Sequence, residues 1–136
     1  MLDLSQGGAH KGSLIIWSAN KGPNQTFVFV PTDSGRFHIM CKQNRQYLTV
    51  KDKANGSAFV TAKKTNDGNQ KMVVANIEGE KDVISIRTCH AKAFDVNGAS
   101  KNDGAQVIHY DYSGAKNQLW KKVNVKKLPL PFSLSK

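Results

Sequence analysis

Phe94-Asp95-Val96-Asn97-Gly98, then Val107-Ile108-His109-Tyr110, then Asn117-Gln118-Leu119-Trp120: three short runs in this order decide how the chain is read. The first is an apolar-x-apolar triplet closed by a turn pair. The second ends a Gly104-led strand on an aromatic ring. The third is an Asn-Gln dipeptide with a large apolar residue two positions on. The same order occurs twice earlier, as Leu2-Asp3-Leu4, Gly12 to Trp17 and Asn24-Gln25-Thr26-Phe27, and as Leu48-Thr49-Val50, Gly56 to Thr61 and Asn69-Gln70-Lys71-Met72. The triplet centres Asp3, Thr49 and Asp95 are 46 residues apart both times, and the Asn-Gln pairs are 45 and 48 apart. Self-similarity at such a period marks one supersecondary unit repeated. The chain is three copies of one unit, at about 1–46, 47–92 and 93–123, in a single domain of 136 residues with a tail from 124 to 136.

Each copy consists of short strands punctuated by turn residues. Gly7-Gly8, Asp33-Ser34-Gly35, Asn55-Gly56, Asn66-Asp67-Gly68 and Asn102-Asp103-Gly104 are turn chemistry. Between them, Thr26-Phe27-Val28-Phe29-Val30, Met72-Val73-Val74 and Val83-Ile84-Ser85-Ile86 are β-branched or aromatic. No stretch carries an amphipathic helix of useful length. The spacing predicts an all-β protein that is closed or nearly so, because short strands must be paired or covered.

The unit resembles the ricin B-chain type lectin repeat, also known by its QxW signature, whose three copies build a β-trefoil. The resemblance covers residues 2 to about 123 and is clearest in the third copy. Phe27 and Met72 stand where the third copy has Trp120. The disulfides usual within such repeats have no counterpart, since Cys41 and Cys89 are the only cysteines.

A strand normally precedes each apolar-x-apolar triplet in this family, as Phe37 to Cys41 and Val83 to Thr88 precede the second and third. None precedes the first. The segment Pro131-Phe132-Ser133-Leu134-Ser135-Lys136 has the missing pattern. The expectation is a circularly permuted trefoil in which this C-terminal strand completes the first repeat; the alternative is a disordered basic tail after Lys126-Lys127.

Sugar binding needs three groups at one place. A carboxylate accepts charge-assisted hydrogen bonds from neighbouring hydroxyls. An aromatic face stacks on the apolar side of a pyranose. An amide donates and accepts at once. The resemblance assigns these roles to the triplet centre, the strand-end aromatic and the Asn of Asn-Gln. It therefore implies Asp3, Trp17 and Asn24 in the first repeat and Asp95, Tyr110 and Asn117 in the third. In both, ring and amide are seven residues apart. His109, beside Tyr110, is included as a ligand contact. Gln25 and Gln118 are expected to support the sites through bonds to backbone or to the nearby Asp. The second repeat has Thr49 and Ala62 at two of the three positions, so it is expected to be structural. Resemblance further implies glycans of the galactose or N-acetylgalactosamine type on glycoproteins or glycolipids.

Charge sets the competing readings. Twenty Lys+Arg against ten Asp+Glu give +10, which favours anionic partners without specifying a fold. Acidic polysaccharide and nucleic acid are therefore alternatives, nucleic acid the weaker, because the lysine pairs Lys63-Lys64 and Lys121-Lys122 lack interleaved aromatics. A protein-binding trefoil such as a protease inhibitor is a third. No nucleophile elbow, P-loop or HExxH occurs, so neither an enzyme nor a cofactor or metal is expected. No apolar run is long enough for a membrane helix. The first residues lack a signal-peptide pattern, which favours a cytoplasmic location unless a leader has been removed.

Overall fold

A computed structural model of the chain describes residues 1–124 and 131–135. It contains twelve strands. In chain order these are β1 (Leu2–Leu4), β2 (Leu14–Ile16), β3 (Phe27–Pro31), β4 (Phe37–Cys41), β5 (Tyr47–Val50), β6 (Ser57–Ala62), β7 (Val73–Asn76), β8 (Val83–Arg87), β9 (Lys92–Val96), β10 (Val107–Asp111), β11 (Trp120–Asn124) and β12 (Pro131–Ser135). Only short 3-10 turns interrupt them, and no helix among the described residues is long and apolar enough to cross a membrane.

Pairing follows the repeat. The triplet strand forms a hairpin with the Gly-led strand three times, as β1–β2, β5–β6 and β9–β10. These hairpins meet one another through β10–β6 and through bridges at Ser13↔Val60 and Ile15↔Gln106. The other six strands join the units. β4 pairs with β3 and, by the bridge Phe37↔Met72, with the start of the segment that carries β7. β8 does the same with β7 and β11. β12 lies antiparallel between β11 (Lys121↔Ser135) and β3 (Phe132↔Phe27). Six strands thus close a barrel and three hairpins cap it, which is a β-trefoil. Of the expected tail, 124–136, residues 125–130 and 136 fall outside the described residues, and with them the expected alternative of a basic tail after Lys126-Lys127.

The repeat is equally plain in the core. Phe27, Met72 and Trp120, each two residues past an Asn-Gln, are 0% exposed. Leu2, Leu48 and Phe94 are buried in the triplets, and Ile39, Ile84 and Leu134 in β4, β8 and β12. Burying each such side chain contributes about 1.5–3 kcal/mol relative to exposure. Neither cysteine is bridged; Cys41 belongs to the core and Cys89 is exposed.

Candidate functional site

Strand alternation would turn the centre of each triplet outward, yet Asp3, Thr49 and Asp95 are 3%, 8% and 6% exposed. Burying a carboxylate is costly unless hydrogen bonds replace water. The Asn-Gln dipeptide supplies them. It lies on a 3-10 turn in every repeat, Pro23–Gln25, Gly68–Gln70 and Lys116–Gln118. That turn points a buried glutamine at the triplet centre. Gln25 Nε2 donates to Asp3 Oδ2 at 2.9 Å, Gln118 Nε2 to Asp95 Oδ2 at 2.8 Å, and Gln70 Nε2 to Thr49 Oγ1 at 3.1 Å.

Each glutamine also grips the loop after the Gly-led strand. Nε2 donates to the carbonyls of Ser18, Lys63 and Asp111, seven residues back. Oε1 accepts from the amides of Asn20, Thr65 and Ser113, five residues back. The glutamines thus tie triplet, loop and turn into one unit.

The two aromatic positions stand out on the surface. Trp17 is 45% exposed and Tyr110 46%. In the first repeat, Asp3, Trp17 and Asn24 together line a cleft of about 680 Å³. Asn24 Nδ2 lies 3.4 Å from the Leu4 carbonyl. Burial pushes the Asp3 carboxyl above its ordinary value, opposed by hydrogen bonds from Gln25 and Asn24. In the third repeat, Asn117 Nδ2 donates to Asp95 Oδ1 at 2.9 Å and to the Val96 carbonyl at 3.2 Å. Asp95 therefore receives a side-chain amide on each oxygen, Asn117 on Oδ1 and Gln118 on Oδ2.

His109 is corrected by the structure. It is 0% exposed, with Nε2 2.6 Å from Thr88 Oγ1 and Nδ1 3.2 Å from the Asp52 carbonyl. The residue before an outward Tyr110 on a strand faces the opposite way, so His109 packs inward against Phe59 and His90 and is not among the residues lining the cleft at Asp3.

The sequence reading missed the loop from Ser5 to His10, which supplies half of the first cleft. Its signal was the Gly7-Gly8 pair, which begins three positions past Leu4: Gly8 has φ +74°, and a Cβ on Gly7 would meet nothing within 4 Å. In the second repeat, Asn69 Oδ1 is buried without a hydrogen-bond partner among the described residues. Among those residues no three His, Cys, Asp or Glu side chains gather as a metal site.

The sequence matches no protein-family model and no curated protein sequence. Solved structures do match. A designed three-fold symmetric protein, ThreeFoil, superposes with a TM-score of 0.81 at 27% identity, covering 91% of this chain and 90% of that one. An exo-β-1,3-galactanase from Clostridium thermocellum gives 0.79 at 23% identity over 98% of this chain, which spans only 27% of the galactanase. A Macrolepiota procera ricin B-like lectin in complex with lactose gives 0.75 at 20% identity, covering 88% and 84%. These likenesses establish the β-trefoil fold.

Proposed function

We propose that the chain is one β-trefoil domain acting as a non-catalytic carbohydrate-binding protein. It takes galactose- or N-acetylgalactosamine-type glycans at two sites, Asp3/Trp17/Asn24 and Asp95/Tyr110/Asn117, while the second repeat serves as frame. In this reading β12 completes the first repeat, as in a circular permutation, which its pairing with β3 and β11 supports.

One observation carries the proposal: a buried carboxylate held by a glutamine and accompanied by a half-exposed ring occurs twice, in repeats one and three. A core needs no acid at these positions, as Thr49 demonstrates by making the same glutamine contact. A surface needs no Trp17 or Tyr110 half exposed. The lactose complex of the Macrolepiota lectin supports the ligand class. Chemically, the carboxylate would accept from adjacent sugar hydroxyls, the asparagine would pair with one of them, and the ring would exclude water from the C–H face. Two weak sites on one rigid body gain avidity on clustered glycans.

A glycan array followed by titration calorimetry tests this. Two galactosides are expected to bind per chain. Asp3→Asn and Asp95→Asn should each remove one site, weakening it about tenfold or more through loss of charge-assisted bonds. Glycan binding retained in the double variant overturns the site assignment.

A further inference from the structure

A second cleft, of about 610 Å³, also has Trp17 in its lining. Both clefts fall within the roughly 300–1,000 Å³ typical of small-molecule sites, and Trp17 is a wall of each. The second lies between the first and third repeats. Lys101, Lys116, Asp103 and Asn117 come to it from the third, and Ser18 from the first.

Three features set this cleft apart from a chance gap. Its shared wall is braced: Gly104 N donates to the Ile16 carbonyl at 2.8 Å, and Ile16 N to that of Ala105 at 2.9 Å. A Cβ on Gly104 would lie 3.6 Å from Trp17 Cζ3, so the turn backbone comes close to the indole edge. The two linings differ in charge. Asp3 lines the first cleft, and Lys101 and Lys116 line the second beside one acid, Asp103. Lys101 takes part in no ion pair among the described residues. The one acid in the second cleft, Asp103, is engaged by the Ser18 hydroxyl at 3.0 and 2.8 Å from its two oxygens.

We propose that the second cleft is an extension subsite for an acidic sugar unit, one carrying a carboxylate or sulfate, linked to the neutral sugar held at Asp3. The proposal rests on the reading of Asp3, Trp17 and Asn24 as a sugar site. Successive units of one oligosaccharide would flank the indole, with hydroxyls toward the carboxylate and the anion toward the lysines. The ligand class is then an acidic oligosaccharide rather than a neutral monosaccharide.

Calorimetry with three disaccharides separates the outcomes: a neutral galactoside, its carboxylated analogue and its sulfated analogue. The full-length protein should bind both acidic forms more tightly, by roughly twofold to fivefold per lysine, as exposed charge pairs contribute. That margin should shrink as salt rises. Lys101→Ala with Lys116→Ala should erase it and leave the neutral affinity unchanged. Asp3→Asn should weaken all three ligands at this site. If neutral sugar binds and the acidic forms gain nothing, the subsite is overturned while the sugar site stands. If no neutral sugar binds, both fall. If acidic ligands, or single-stranded DNA of equal charge, bind Asp3→Asn undiminished, the lysines are a separate basic patch and the subsite is overturned.

Discussion

Gln118 holds Asp95 by a 2.8 Å hydrogen bond while its other contacts anchor the loop at Asp111 and Ser113. The carboxylate is thereby positioned by the same side chain that shapes the loop, so a change at Gln118 affects frame and ligand group together. Gln118→Ala should lower stability by about 1–3 kcal/mol, the cost of orphaning buried polar partners, and should abolish binding at the third site. Denaturant unfolding and calorimetry measure both; loss of binding at unchanged stability would contradict the double role.

Trp17 and Tyr110 should behave in the opposite manner. Each ring is about half exposed, so Trp17→Ala or Tyr110→Ala should change the melting temperature little. Loss of aromatic stacking, worth about 0.5–1.5 kcal/mol, should weaken its own site roughly threefold to tenfold. Phe at either position should restore most of the affinity. A large drop in melting temperature would mark these rings as core instead.

The second repeat keeps the means to hold an acid. Gln70 already donates toward Thr49 Oγ1 and binds its loop as Gln25 and Gln118 do. Thr49→Asp combined with Ala62→Trp should raise calorimetric stoichiometry from two sugars per chain toward three. A stoichiometry that stays at two would locate the missing determinant elsewhere in that repeat.

His109 should make the protein sensitive to acid. Burial pushes its pKa below the ordinary 6.5, with Lys92 and His90 acting in the same direction. The unfolded chain takes up a proton below about 6.5 while the folded one resists, so stability should fall as pH drops through that value. His109→Gln should flatten this part of the stability curve in denaturant titrations at pH 5 to 7. A curve identical to wild type would refute the assignment.

Asp3 gives a separate pH signature in binding. Its carboxyl is pushed above 3.8 by burial, and only the ionised form accepts from two hydroxyls. Affinity at the first site, followed by Trp17 fluorescence, should therefore decline on acidification before an ordinary carboxylate would protonate. A midpoint at or below 3.8 would contradict it.

The repeat register made most of the frame legible. Leu2, Leu48 and Phe94, like Phe27, Met72 and Trp120, occupy equivalent core positions that their spacing announces. The glutamines recur at one register in all three repeats, and each reaches its own triplet centre. His109 was misjudged by attending to sequence adjacency rather than to the period of two, which places it opposite Tyr110. The second cleft was invisible for a different reason: Trp17 and Lys101 are far apart in sequence and meet only where the first and third repeats close on each other.

The glutamine-braced turn has a consequence for how such a protein changes over generations. Because Gln70 donates to a threonine hydroxyl from the position where its counterparts donate to an acid, the residue at the triplet centre can change while the turn keeps its hold. Under the proposed function, valency would then be adjustable in steps of one while the scaffold persists.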